Sequence, residues 1–150
     1  MLPPIAMTKF DTRNSKLVKP SLPGAPVKDF TDLDVWKLAR ELRRAVHLLT
    51  RRFPNEEKHV LCAQLRRAAI SVTANIAEGF GRFSYRENVQ YCRQARGSVF
   101  EIRDHLTTAR DCDYLSEAEW QGADALAQRV AQVLNGYIRA TQKRQSNGDV

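Results

Sequence analysis

The sequence predicts an all-α protein, an up-down-up-down four-helix bundle, and three observations predict it. From Phe30 onward the apolar residues recur at helical spacing. Capping and breaking residues cut that pattern into four segments of roughly 20–28 residues joined by short connections. No segment alternates at the two-residue period of a half-buried strand.

Thr31 is the expected N-cap of the first helix, with Asp34 three residues on and Phe30 stapled onto Val35. Val35, Leu38, Ala39, Leu42, Ala45, Val46 and Leu49 make its apolar stripe. Phe53-Pro54-Asn55 breaks the helix, and Asn55 is expected to cap the second, with Glu56 and Glu57 at its positive end. The second helix runs through Leu61, Leu65, Ala68, Val72 and Ile76 to Gly79, its expected C′ residue. Ser84 and Glu87 form a capping box for the third, striped by Val89, Cys92, Val99, Ile102, Leu106 and Ala109. Ser116 and Glu119 form another, stapled by Leu115 and Trp120. The fourth helix then continues through Ala123, Leu126, Ala127, Val130, Val133, Leu134 and Tyr137.

A chain of 150 residues with 27% charged and 43% hydrophobic residues is the length and composition of one folded domain. Its organisation reads as a flexible basic arm over 1–28, rich in proline, a bundle over 29–141 and a polar tail over 142–150, with fraying expected from Thr141. Met7 is an alternative start to Met1. No apolar run is long enough to span a membrane, and the first residues lack a basic segment followed by an apolar one. Three widely spaced cysteines, Cys62, Cys92 and Cys112, fit reduced thiols packed as small apolar groups, so a cytoplasmic location is expected.

The net charge is +7, of which residues 1–29 and 30–54 contribute +3 each. A basic excess permits a polyanionic partner. Seventeen of the 24 basic residues are arginine, and several have no acidic neighbour one turn away. Arg86, Arg93, Arg96 and Arg103 lack one, as do Arg40, Arg43, Arg51 and Arg52 within their own predicted helix. Lys37, Arg40, Arg43, Arg44, Arg51, Arg66, Arg67, Arg82, Arg86 and Arg93 are therefore candidate nucleic-acid contacts. The competing reading is a solvated face plus arginine–carboxylate pairs between helices or subunits, for which the guanidinium fork is suited.

From Val60 to Ala77 the only charged residues are Arg66 and Arg67, and Ala63, Ala69, Ile70, Ala74 and Ala77 spread the apolar surface around the helix. A helix apolar on nearly all sides is expected to be covered twice. Ala63, Ile70, Ala74 and Ala77 are thus candidates for an interface with a second subunit, or for cover by the arm.

Catalytic and metal signatures are missing. His47, His59 and His105 fall on three predicted segments without metal-ligand spacing and read as surface residues. The sequence has no HExxH, CxxC, GxSxG or P-loop. No enzyme, cofactor or metal is expected.

The segments Gln64-Leu65-Arg66-Arg67-Ala68-Ala69-Ile70-Ser71-Val72 and Asn75-Ile76-Ala77-Glu78-Gly79-Phe80-Gly81-Arg82 carry a further signal. Leu33-Asp34-Val35-Trp36-Lys37 and Phe53-Pro54 precede them. Ala95-Arg96-Gly97-Ser98-Val99-Phe100-Glu101 and Ala109-Arg110-Asp111-Cys112-Asp113-Tyr114-Leu115 follow. Together these resemble the proteins encoded by intervening sequences of bacterial 23S ribosomal RNA genes, over most of the chain outside the arm. The resemblance implies a bacterial cytosolic bundle assembled as a homo-oligomeric ring, typically a pentamer, associated with ribosomal or other RNA. It also points to a related group, the accessory subunits of diversity-generating retroelements, which bind a reverse transcriptase and nucleic acid. The function expected is therefore a non-enzymatic oligomer that binds structured RNA or an RNA–protein complex. The alternative is a protein–protein adaptor for a reverse transcriptase. Within the motif, Asn75, Glu78, Ser98 and Glu101 form an expected polar cluster of structural character, with Asn75 and Glu78 accepting from Arg66, Arg67 or Ser98. Gly97 is expected to permit close helix packing, and Arg82 to cap the last carbonyls of the second helix.

Overall fold

The computed structural model describes residues 26–148, so most of the basic arm and the last two residues lie outside it. Four helices follow in order: α1 (Asp34–Thr50), α2 (Leu61–Phe80), α3 (Tyr85–Asp111) and α4 (Glu117–Ser146). No strand occurs among the described residues. The helices α1 and α3 each pack against both α2 and α4. The predicted stripes meet in one core, where Leu42, Leu65, Val72, Ile76, Val99, Ile102, Leu106, Val130 and Leu134 are fully enclosed.

The start of α4 follows the sequence expectation and that of α3 does so in part: Ser84 caps α3, but the Glu87 carboxylate faces Arg82 at 4.0 Å and the capping box is not completed. Ser84 Oγ accepts from Glu87 N at 3.3 Å. Ser116 and Glu119 satisfy each other's backbone N–H groups at 3.1 and 2.9 Å, a complete capping box. The start of α1 differs. A 3-10 turn over Phe30–Asp32 precedes it, and Asp32 accepts from the N–H groups of Lys28 and Asp29, both at 3.0 Å. Thr31 is therefore not the cap; its hydroxyl donates to Asp29 at 2.7 Å. The N-cap position of α1 is Leu33, whose side chain offers no acceptor. Phe30 packs edge-on to Trp36, with ring centroids 5.2 Å apart.

Asn55 does not open α2 either. Asn55–Glu57 forms a separate 3-10 turn and α2 begins at Leu61. Glu57 provides the reason, because its carboxylate accepts from Leu61 N at 3.3 Å and from the Tyr114 hydroxyl at 3.0 Å. That second bond pushes the Tyr114 pKa up to about 12. Together with the Arg52–Glu119 ion pair it ties the α1–α2 connection to the α3–α4 turn.

At its other end α2 runs through Phe80, and Gly81 caps it at an ordinary helical φ of −74°. Gly79 is thus not a left-handed C′ residue. It is buried inside the last turn, against α3. A left-handed C′ residue occurs instead after α3, at Asp113 with φ 61°. Its N–H reaches Arg110 O and that of Tyr114 reaches Ala109 O, both at 2.9 Å, the paired bonds of a Schellman ending. Because a β-carbon is disfavoured there, Asp113→Gly is expected to raise the unfolding free energy by about 1 kcal/mol, read from the denaturant midpoint.

Two further expectations are corrected. Cys62 and Cys92 are buried, and burial pushes the Cys92 thiol up to about 12, but Cys112 is exposed in the turn after α3. The chain beyond Thr141 remains helical to Ser146. Thr141 itself is buried, its hydroxyl donating to Tyr137 O at 2.9 Å.

Candidate nucleic-acid interface

The periodicity that buries Leu42, Val46 and Leu49 turns Arg43, Arg44, His47 and Leu48 toward the outer side of α1. There they meet Arg66, Ala69 and Ile70 of α2. These seven residues line an open groove of about 400 Å³. Its floor is apolar and its lining holds three guanidinium groups, one imidazole and no carboxylate. Two of the arginines are anchored by neutral groups. Arg43 donates to Thr73 Oγ1 at 2.8 Å, and Arg66 Nε donates to Thr50 Oγ1 at 2.8 Å. Both hydroxyls pass their own protons to helix carbonyls, Ile70 O and Val46 O. The side chains are fixed without losing their charge, which leaves most of each fork available to an anion. Arg44 has only an exposed pair with Glu41 at 3.5 Å, of little worth in water.

The remaining candidates scatter. Lys37 pairs with Asp34 at 3.7 Å, and Arg40 lies 6.0 Å from the Trp36 ring centre. Arg67 meets Gln64 and, at 3.7 Å, Glu101. Arg51, Arg86 and Arg93 are exposed and enter no ion pair among the described residues. Several arginines without partners along their own helix have them across helices. Arg103 grips Asp124 at 2.7 and 3.3 Å, Arg96 donates to Asn135 at 3.0 Å, and Arg52 pairs with Glu119. For Arg103 and Arg52 the reading of arginine–carboxylate pairs holds, whereas Arg96 meets a neutral amide.

The polar cluster of the motif divides in two. Asn75 donates to Ser71 O and Oγ at 2.9 and 3.0 Å, and the Ser71 and Ser98 hydroxyls lie 2.9 Å apart, bridging α2 to α3. Glu101 stands beyond them with Arg67 and with His105 at 3.5 Å. Glu78 belongs elsewhere: it pairs with Arg82 at 2.7 Å, which holds its carboxyl below the usual range. Arg82 therefore binds side chains, Glu78 and the Tyr91 hydroxyl at 2.6 Å, and not the helix-end carbonyls. Neither Arg66 nor Arg67 bonds Asn75 or Glu78, because Thr50, Gln64 and Glu101 take them. Gly97 is corrected as well. A β-carbon there would meet nothing within 4 Å, so it mediates no packing within the chain.

Among the interface candidates Ala63, Ile70 and Ala74 are exposed and Ala77 is half-buried, whereas Ala69 is enclosed. Ile70 belongs both to this strip and to the groove floor. Sequence reasoning passed over His47 as a groove residue, although its spacing from Arg43 and Arg44 places all three on one side of α1. Thr50 and Thr73 had no such signal, since their role depends on how α1 sits against α2. Among the described residues no group of histidine, cysteine and acidic side chains could hold a metal ion, and no helix is long and apolar enough to cross a membrane.

Fold and surface together define an all-helical protein whose most concentrated feature is a cationic groove with an apolar floor. The family model of the 23S rRNA-intervening sequence protein matches residues 31–136, and the chain belongs to that family. It is similar in fold to a crystal structure, at 1.70 Å resolution, of a protein with unknown function from the S23 ribosomal protein family of Bacteroides thetaiotaomicron VPI-5482. The TM-score is 0.65 at 20% identity, over 69% of this chain and 97% of that one. Among curated proteins none matches.

Proposed function

We propose that this protein is a non-enzymatic cytoplasmic scaffold, an up-down-up-down bundle assembled as a homo-oligomer, that binds nucleic acid, with RNA the favoured form. The groove between α1 and α2 carries the reading: three guanidiniums and His47 converge there with no carboxylate among them. Such a set suits phosphates, whereas its apolar floor suits the sugar or base edge beside them. Cross-helix contacts such as Thr50–Arg66, Arg67–Glu101 and Asn88–Tyr137 each pair the first half of one helix with the second half of its neighbour, which supports the up-down arrangement. The exposed Ala63, Ile70 and Ala74 support self-association.

Light scattering after size exclusion, with absorbance at 260 and 280 nm on the same peak, tests assembly and retained nucleic acid together. A monomer free of nucleic acid counts against both. In titrations with RNA the affinity is expected to fall steeply with salt. The triple variant Arg43→Gln, Arg44→Gln, Arg66→Gln is expected to reduce the slope of log K against log salt by roughly two, at about 0.7 per lost contact to a single strand. Binding that ignores salt, or no binding at low salt, overturns the reading.

A second reading is an adaptor for another protein, such as a reverse transcriptase. It is favoured by the large apolar side chains left in solvent at Val60, Ile70 and Phe100. It predicts co-purification with that protein and weak affinity for nucleic acid alone.

A further inference from the structure

The turn between α2 and α3 carries a phenylalanine that touches nothing. Phe83 is 104% exposed, with both ring faces open to solvent. It stands between Arg82 and Arg86 in sequence, and the nearby carboxylates are already matched. Glu78 lies 2.7 Å and Glu87 4.0 Å from the Arg82 guanidinium, which also covers the Tyr91 ring at 4.9 Å. Arg82 and Arg86 together offset Glu78 and Glu87, so the turn itself is balanced and the excess positive charge lies further along α3, at Arg93.

The outward side of α3 continues the pattern. Arg86, Gln90, Arg93 and Gly97 follow one another at helical spacing and all are exposed. Between Glu87 and Glu101 the helix carries no acidic residue. Arg86 and Arg93 are separated by about 10 Å along the axis, two turns of helix. At Gly97 the space for a side chain is empty, so an extended ligand could lie directly on the backbone there. Phe100, 52% exposed, follows one turn further.

We propose that the α2–α3 turn and the outer side of α3 bind unpaired, single-stranded nucleic acid, with Phe83 stacking on a base and Arg86 and Arg93 contacting flanking phosphates. This rests on the nucleic-acid reading above and narrows it to a strand form. An open aromatic ring followed along α3 by Arg86 and Arg93, neither in an ion pair, matches a strand whose bases are splayed. A duplex hides its base faces and gives Phe83 nothing to stack on. The positive charge of this face complements phosphate and opposes an acidic-poor, cationic partner.

The test uses the full chain and a short single-stranded RNA carrying 2-aminopurine, whose fluorescence falls on stacking, with the matching duplex in parallel. The wild type is expected to prefer the single strand and to quench the probe. Phe83→Leu is expected to lose the quenching and weaken single-strand binding roughly tenfold, with duplex binding unchanged. Phe83→Trp, which keeps a ring, is expected to retain both. Binding of single strand and duplex alike, with no response to Phe83→Leu, overturns this inference and leaves the broader reading standing. Failure to bind either form at low salt removes both. A changed oligomer size in Phe83→Leu with unaltered RNA binding makes the ring a subunit contact, and also overturns the inference.

Discussion

Asp124→Ala is expected to lower the unfolding free energy by about 3 kcal/mol, the low end for breaking a buried ion pair. Asp124 is 5% exposed and accepts from Arg103 at 2.7 and 3.3 Å and from Gln128 at 2.7 Å. Removing it leaves a guanidinium facing an emptied pocket. The Arg103 side chain keeps 32% exposure, so water recovers part of the loss, and the upper end of the range is not expected. The same pair gives a dependence on pH. Burial pushes the Asp124 carboxyl up, but the hydrogen bonds from Arg103 and Gln128 outweigh it, and the net pKa lies below 3.8. Glu119 behaves alike: burial is outweighed by Arg52 and the Ser116 N–H, and its pKa falls below 4.5. For a carboxyl depressed on folding, the unfolded chain binds the proton more readily. The stabilisation is therefore complete above the unfolded values and is lost as pH falls through the lower folded ones. Denaturant titrations between pH 7 and pH 2 are expected to show stability declining below about pH 4. Asp124→Asn is expected to flatten that decline; a variant with the wild-type acid slope would refute this assignment.

The second large effect is steric. A β-carbon on Gly79 would stand 3.0 Å from Asn88 Oδ1 and from Tyr91 Cβ, and 3.1 Å from the Asn88 carbonyl oxygen. The backbone oxygen and the Tyr91 β-carbon cannot swing away as a flexible side-chain end could. Asn88 is itself buried, held by Tyr137 at 3.1 Å. Gly79→Ala is expected to destabilise the fold by about 2 kcal/mol, since overpacking exceeds the helix-propensity gain of about 1 kcal/mol. Gly79→Val is expected to cost more. The contrast is Gly97→Ala, which places its methyl in open space and is expected to gain up to about 1 kcal/mol in the same denaturant measurement. Equal effects at the two glycines would refute the close contact.

These two glycines also show where reading the sequence succeeds and where it stops. Both lie in the family motif and both were legible as special positions. Their roles were not, because the role is the distance to a neighbouring helix. Gly79 reads as a helix terminator and is a packing position; Gly97 reads as a packing position and faces solvent. The arginines repeat the lesson. Arg103 and Arg52 are recognisably unpaired along the chain, yet their partners Asp124 and Glu119 are remote in sequence and become neighbours only when α4 closes the bundle. Of the groove, Arg43 and Arg66 were legible as cations without local partners, and Arg44 as one paired only with Glu41. The Thr50 and Thr73 hydroxyls that anchor two of them were not.

By itself the sequence determined the helical class, the four segments, the buried stripes and the caps at Ser84 and Ser116. Those features follow from interactions within one or two turns, where spacing along the chain equals spacing in space. The tertiary structure decided which arginines are spent on the fold and which face solvent, where the two glycines act, and that α1 and α2 leave a cationic groove between them. Those outcomes depend on the register between helices, which is set by packing of the whole core and by no single stretch of residues.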